Sequence, residues 1–272
     1  MKVITVHAHD DAGFEARLQV ALDLARAFGG HVTIVYAIPV DAGMPGDLYG
    51  ATFASMMPVW REMAEALRKR TEADLANEDV PFEWIEGAGT PSSVLLRHSV
   101  LSDVIVVGAA EPQFSSRGPS ETVGDLVLHA RCPVLVVPED RGRFDVRCPV
   151  LVAWDGSPEA SRALRMALPL LAMSSKVTLA CVREREGETD LYDLPPLRGA
   201  EYLSRHGIGC ELVELPREGR RVAEVLRDAA ATRKAGAIVM GAYGHMRLTE
   251  RIFGGATRDM LTGVEVPLVM AH

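Results

Sequence analysis

A glycine-rich loop is the clearest chemical signal in this sequence. Residues 241–244 read Gly-Ala-Tyr-Gly after an apolar run that predicts a buried strand, and nine residues later residues 254–257 read Gly-Gly-Ala-Thr and open a predicted helix. Glycines let backbone N–H groups approach an anion, and the positive end of the following helix favours negative charge. The loop can therefore hold phosphate, helped by Arg247, Arg251 and Arg258. A flexible surface loop with a glycine turn at each end is the alternative, and spacing alone leaves both interpretations open.

Two histidines at the end of the first predicted strand raise the question of a metal. His7 and His9 lie two residues apart, so their side chains share one face of the strand. A metal-dependent hydrolase also needs His, Asp or Glu clusters at later strand ends, and none recurs in the sequence. We therefore favour a polar strand terminus and predict no metal site.

Length and composition exclude several classes of protein. The chain has 272 residues, is 48 % hydrophobic and carries a formal net charge of −8. Nucleic acids and anionic membranes select for clustered basic charge, so neither is expected as a partner. No apolar run reaches the roughly 18–20 residues that span a bilayer. The sequence opens as a strand without a signal-peptide pattern, and its four cysteines form no CxxC pair, so we expect a cytoplasmic protein with reduced thiols.

The two halves of the chain repeat one another. Three pairs of segments match: 32–35 with 177–180, 103–108 with 236–241, and 132–136 with 266–270. The separation is larger for the first pair than for the other two, so the second copy is shorter in its middle segment, where the first copy carries residues 41–51 and a long helix. We predict a tandem duplication, with domains over residues 1–140 and 146–272.

Each copy alternates strands with helices. In the first copy we predict strands at 3–7, 31–37, 81–85, 104–108 and 134–137, and helices at 14–28, 56–75, 92–99 and 122–129. In the second copy we predict strands at 150–154, 177–182, 211–214, 237–241 and 267–270, and helices at 158–173, 194–205, 221–233 and 255–261, with a kink at Pro169. Short, continuously apolar strands are typical of parallel sheets buried on both faces, which indicates an α/β fold of two doubly wound, Rossmann-like domains. Ligands of such sheets bind at the carboxyl ends of the strands near the topological switch point.

The glycine loop resembles the G-x2-G-x9-G-[S/T] nucleotide motif of the universal stress protein family. Residues 150–158 (VLVAWDGSP) are similar to that family's first strand and its adenosine-binding aspartate. The resemblance covers essentially the whole chain, as two family domains in tandem. It implies a HUP-type fold and a cytoplasmic stress-response protein, in a family that is usually dimeric and has some members that bind ATP.

By that resemblance the second copy binds ATP, accompanied by Mg²⁺. Asp155 would hold the adenosine end, Val182 and Met240 would line the adenine slot, Gly241 and Gly244 would approach the ribose and phosphates, and Gly254, Gly255, Ala256 and Thr257 would wrap the phosphates. Gly255 stands where the motif has Ser or Thr, and the Thr257 hydroxyl follows two residues later. One neutral hydrogen bond is worth about 0.5–1.5 kcal/mol, so this departure weakens binding without abolishing it.

The first copy departs further from the motif. It keeps Gly108 after its buried strand, but Glu111 falls where Gly244 would be, and Ser120 is an ordinary helix N-cap. Asp10 aligns with Asp155, so an adenosine side persists there. Because a carboxylate repels phosphate, we predict that the first copy does not bind ATP.

Three functions remain open at this point. The first is a regulatory protein controlled by nucleotide, with protein partners unknown; the second is a scaffold that binds no nucleotide; the third and least favoured is a slow ATPase or adenylating enzyme. The sequence has no SGGxDS or GxxxxGK[ST] loop and no motif-supported Ser-His-Asp or Cys-His set, so no catalytic residue is assigned. The last strands, 134–137 and 268–270, are short, apolar and predicted to lie at sheet edges, which favours pairing. In dimers of the family these strands pair between subunits, so the resemblance implies that the two copies pair within this chain as an intramolecular pseudo-dimer, which leaves a further homodimer open.

Overall fold

The computed structural model describes residues 1–38, 51–109, 120–140, 142–183, 194–244 and 255–272, with the backbone alone for residues 51–54. The predicted loop residues Glu111, His245, Arg247, Arg251 and Gly254 therefore lie outside the described part of the chain.

Strands and helices alternate through the first half of the chain. They are β1 (Val3–Ala8), α1 (Phe14–Phe28), β2 (His31–Ile38), α2 (Ala51–Leu75), β3 (Phe82–Ala88), α3 (Pro91–His98) with a 3-10 turn (Ser99–Leu101), β4 (Val104–Gly108), α4 (Glu121–His129) and β5 (Val134–Val137). The predicted elements are present, and the main differences are an earlier start of α2 and a β3 displaced toward its carboxyl end.

The second half repeats this order. Its elements are β6 (Val150–Ala153), α5 (Pro158–Met166), α6 (Leu168–Met173), β7 (Val177–Arg183), α7 (Pro196–Arg205), β8 (Cys210–Pro216), α8 (Val222–Thr232), β9 (Ala237–Gly241), α9 (Gly255–Leu261) and β10 (Leu268–Ala271). The predicted kink at Pro169 is confirmed, because the helix is interrupted at Ala167 between α5 and α6. Proline has no N–H to donate to the preceding turn.

All ten strands form one sheet in the order β3-β2-β1-β4-β5-β10-β9-β6-β7-β8. Pairing is parallel within each half, and the halves meet where β5 and β10 pair antiparallel, with Leu268 opposite Val136 and Met270 opposite Val134. The predicted pairing of the two last strands within one chain is confirmed. Each half has one switch point, because β1 lies between β2 and β4, and β6 lies between β7 and β9.

Helices cover both faces of the sheet. One apolar cluster packs beneath α1, α2 and α5–α7 and includes Ile34 and Val152. The other packs beneath α3, α4, α8 and α9 and includes Ile105 and Met240. This two-sided burial is the reason for the continuously apolar strands in the sequence.

Candidate nucleotide site

The second switch point lies at the carboxyl end of β6. Val152 pairs with Val239 on one side and Ala153 pairs with Ala180 on the other, so Met240 and Val182 flank this end of the strand from opposite sides. Met240 is 5 % exposed, whereas Val182 is partly buried; both pack in the cluster beneath α8 and α9. Their placement fits the predicted apolar slot.

Asp155 supports the start of α5. Its Oδ1 accepts hydrogen bonds from the Ser157 backbone N–H at 3.0 Å and the Ser157 hydroxyl at 2.6 Å. Ser157 Oγ in turn accepts from Ala160 N at 3.1 Å, so Ser157 is the N-cap of α5. Asp155 is exposed after the carboxyl end of β6, and its carboxylate positions the helix cap. Burial raises the pKa of the nearby Cys181 thiol to about 11, with smaller contributions from the charges of Glu214 and Asp155.

Gly241 is required by packing at the end of β9. A Cβ placed there would lie 2.4 Å from Ala160 N and 2.6 Å from the carbonyl carbon of Glu159. The end of β9 therefore touches the backbone of the first turn of α5, which no other residue permits. Close helix–strand packing explains this glycine without a ligand.

Gly244 lies beside the first turn of α5. A Cβ there would be 3.3 Å from Glu159 Oε2 and 3.5 Å from Ser157 Oγ. The second glycine of the motif is thus brought to the helix N-terminus, and the Glu159 carboxylate lies next to it. Glu159 was missed by the sequence analysis, although an acidic residue in a first helical turn is a common signal.

The two parts of the glycine motif meet through one hydrogen bond. Tyr243 N donates to Thr257 Oγ1 at 3.3 Å, across residues that are 14 apart in the sequence. Thr257 is 4 % exposed, and Tyr243 has a positive φ of 64°. The Thr257 hydroxyl, predicted to face phosphate, therefore takes part in the loop's own structure.

The first residues of α9 are not covered by other described residues. A Cβ at Gly255 would meet no described atom within 4 Å. Ala256 is partly exposed and Arg258 is exposed on the same short helix.

Comparison with known proteins identifies the family. The model of the universal stress protein family matches residues 2–138 and again residues 148–272. The chain belongs to the universal stress protein family. Membership indicates a stress-response protein. A comparison with curated protein sequences finds no match.

Solved universal stress proteins share the fold over the full chain. One from Archaeoglobus fulgidus has a TM-score of 0.75 at 17 % identity, covering 99 % of this chain and 97 % of that one. A putative member from Pseudomonas aeruginosa has a TM-score of 0.58 at 15 % identity, covering 100 % and 93 %. Identities this low show the fold alone. Across the described residues, no helix combines the length and apolar character of a membrane span.

The first universal stress protein repeat places Asp11, rather than Asp10, in the position equivalent to Asp155. Asp11 Oδ1 accepts from the backbone N–H of the N-cap residue, Gly13, at 2.8 Å, as Asp155 does with Ser157. Asp10 instead pairs with Arg70 at 2.8 Å on the surface. The predicted alignment of Asp10 was wrong because the loop before α1 has one more residue than the loop before α5.

Arg17 fills the first switch point. Its buried guanidinium binds both oxygens of Asp11, and its Nε donates to His7 O at 3.1 Å. A Cβ on Gly108 would lie 2.7 Å from Arg17 Nη1, so the glycine at the end of β4 makes room for this side chain. The predicted adenosine side is therefore occupied by the protein's own cation. Arg17 lies among the apolar, buried positions of α1, and this placement was the sequence signal that its side chain points into the protein.

His7 and His9 stack on one another, with ring centroids 6.1 Å apart. Burial, the Arg17 charge and His9 lower the pKa of His7 to about 3, so its imidazole is neutral near pH 7. Within the described ranges, no group of three or more His, Cys, Asp or Glu residues could hold a metal ion.

Proposed function

We propose that the second repeat binds ATP at the carboxyl ends of β6 and β9, and that occupancy regulates the interactions of this stress protein. The observation that carries the proposal is the Tyr243–Thr257 hydrogen bond, which brings the glycine turn after β9 to the start of α9. With Gly244 beside the first turn of α5, backbone from three elements converges on one edge of the sheet.

Each of the proposed residues contacts a different part of the nucleotide. Val182 and Met240 supply apolar contacts for the base, and Asp155 is the acceptor for the sugar hydroxyls. Gly241 and Gly244 bring the backbone close to the sugar and phosphates. The backbone N–H groups of Gly255 and Ala256, at the start of α9, donate to the phosphates, and Gly254 belongs to the same proposed cradle.

Mg²⁺ is part of the proposed ligand because of Glu159. Its carboxylate lies beside Gly244, which is one of the residues proposed to approach the phosphates. A carboxylate and a phosphate repel each other when they are close, and a divalent cation bound to the phosphate oxygens reduces this repulsion. The site therefore fits MgATP better than free ATP.

In the first repeat, the protein's own side chains occupy the described part of the equivalent position. The Asp11 carboxylate that corresponds to Asp155 is paired with Arg17 at 2.8 Å, and the guanidinium fills the space beside Gly108. We therefore propose one nucleotide per chain.

A pair of glycine variants tests the location of the site. Both Gly255 and Gly209 lie where an added Cβ meets no described atom within 4 Å, and neither has a positive φ. Gly255→Glu introduces a carboxylate at the proposed phosphates, whereas Gly209→Glu introduces the same charge elsewhere in the second half. Titration calorimetry with MgATP should show loss of at least tenfold in affinity for Gly255→Glu and none for Gly209→Glu.

Equal affinities for the two variants and the parent protein would place the nucleotide elsewhere. No MgATP binding to the parent protein would reject the proposal in favour of a scaffold that presents its two repeats to protein partners.

A further inference from the structure

A cleft of about 240 Å³ lies between α5 and α7, away from the glycine motif. Its lining includes the apolar side chains of Trp154, Leu164 and Leu194 and the guanidinium groups of Arg165, Arg198 and Arg205. Neither the nucleotide motif nor the proposed ATP contacts use any of these side chains.

The Trp154 side chain is buried, but its indole N–H makes no hydrogen bond to the described residues. The residue is 4 % exposed, and a Cβ on Gly199 of α7 would lie 3.2 Å from its ring, so the helix backbone packs directly against the indole. Leu194 N donates to Gly156 O at 2.9 Å and fixes the segment that leads into α7. Trp154 Nε1 is buried and has no hydrogen-bond partner among the described residues. A buried N–H without an acceptor is costly, and such groups are rare in native proteins unless a ligand or water completes them.

The rim of the cleft is positive in a chain whose net charge is −8. Arg198 pairs with Glu201 at 3.0 Å, which neutralises one of the three guanidinium groups. Arg165 and Arg205 are exposed and have no acidic partner within the described part of the chain. Among the described residues, the cleft therefore carries the charges of Arg165 and Arg205 beside apolar side chains, with no acidic group paired to either.

We propose that this cleft binds a small organic anion with a flat apolar body, of which an aromatic carboxylate is the simplest. The ring packs against Trp154, Leu164 and Leu194. One anionic oxygen accepts the Trp154 Nε1–H, and Arg165 and Arg205 neutralise the charge. Bidentate guanidinium contacts favour a planar carboxylate.

This site is separate from the proposed nucleotide site. Trp154 and Leu164 belong to the apolar cluster beneath α5–α7, whereas Met240 and Val182 pack in the cluster on the opposite face of the sheet. The inference therefore does not depend on ATP binding.

The indole N–H of Trp154 is a direct reporter for the test. The chain has three tryptophans, so a ¹⁵N–¹H spectrum shows three indole peaks, and Trp154→Phe identifies the one from Trp154. Benzoate is titrated at constant ionic strength, with benzyl alcohol as the uncharged probe of similar shape. We expect benzoate to shift the Trp154 peak downfield and saturably, with benzyl alcohol at least tenfold weaker.

Two double variants separate specific binding from a general charge effect. Arg165→Gln/Arg205→Gln removes the cleft charges, and Arg131→Gln/Arg147→Gln removes two exposed charges elsewhere. The first should weaken benzoate binding at least tenfold and the second less than twofold, with the Trp60 and Trp84 peaks reporting an intact fold. The proposal is overturned if benzoate leaves the Trp154 peak in place, if benzyl alcohol binds equally well, or if the two double variants behave alike.

Discussion

The Arg17 guanidinium makes a bidentate ion pair with the Asp11 carboxylate, with Nη1–Oδ1 and Nη2–Oδ2 distances of 2.9 and 2.8 Å. The pair joins α1 to the loop after β1 and fills the first switch point, whereas the corresponding aspartate of the second repeat, Asp155, makes its described hydrogen bonds to a helix cap. The two repeats of one fold thus differ at the place where a ligand would bind.

Removal of Arg17 should destabilise the first repeat. Arg17→Met leaves Asp11, 16 % exposed, without its partner, and breaking a buried pair costs about 3–5 kcal/mol. Arg70→Met breaks the exposed pair with Asp10 and should cost less than about 1 kcal/mol. Urea unfolding followed by circular dichroism measures both. Similar losses in the two variants would show that the Arg17 pair is not a structural element.

Protonation of His7 should lower stability in acid. Its pKa is about 3 in the folded state against about 6.5 for an unperturbed histidine in the unfolded chain, so the unfolded chain binds more protons between these values. Stability is therefore complete above about pH 6.5 and falls with decreasing pH toward 3, by at most about 1.4 kcal/mol per pH unit. His7→Asn should flatten this dependence, while His129→Asn, at an exposed position, should not. Urea unfolding at a series of pH values gives the slopes, and identical slopes for His7→Asn and the parent protein would contradict the assignment.

Restoring the hydroxyl of the family motif should strengthen nucleotide binding. Gly255→Ser adds a donor where an added side chain meets open space, and one neutral hydrogen bond corresponds to about a 2- to 10-fold gain in affinity for MgATP. Gly209→Ser is the control, because it removes a glycine from a similarly open position. Calorimetry that finds no gain for Gly255→Ser would place the phosphates away from α9.

The dependence on Mg²⁺ should be reduced by removing the charge of Glu159. Glu159→Gln should raise the affinity for ATP without Mg²⁺ on the order of tenfold and change that for MgATP much less, because the repulsion acts mainly on the unneutralised phosphates. Glu265→Gln, at an exposed position distant in sequence, should change neither. An unchanged ratio of the two affinities in Glu159→Gln would show that Glu159 does not face the phosphates.

The fold was largely predictable because its signals are local. Helix α1 and strands β4, β5 and β9 have the predicted bounds, since apolar runs and glycine ends mark them. The interruption at Pro169 was predictable from the residue type alone, because proline has no backbone N–H to donate within a helix. Strands β5 and β10 were recognisable as short apolar edge strands, and their pairing with each other was expected from the resemblance to the family's dimers.

The site was less predictable because its contacts join distant residues. The insertion of one residue before α1 moved the equivalent of Asp155 from Asp10 to Asp11, which matching offsets could not reveal. The burial of Arg17 depends on carbonyl and carboxylate groups that the fold brings to it. Gly241 was predicted to approach the ribose and phosphates, yet its contact with the backbone at Ala160 already requires a glycine there.

If the second repeat binds ATP while Arg17 closes the first, each chain holds one nucleotide. Native mass spectrometry of the intact chain, titrated with MgATP, counts the nucleotides bound. We expect saturation at one ATP per chain, lost in Gly255→Glu and retained in Gly209→Glu. Saturation at two, or no bound nucleotide at any concentration, would contradict it.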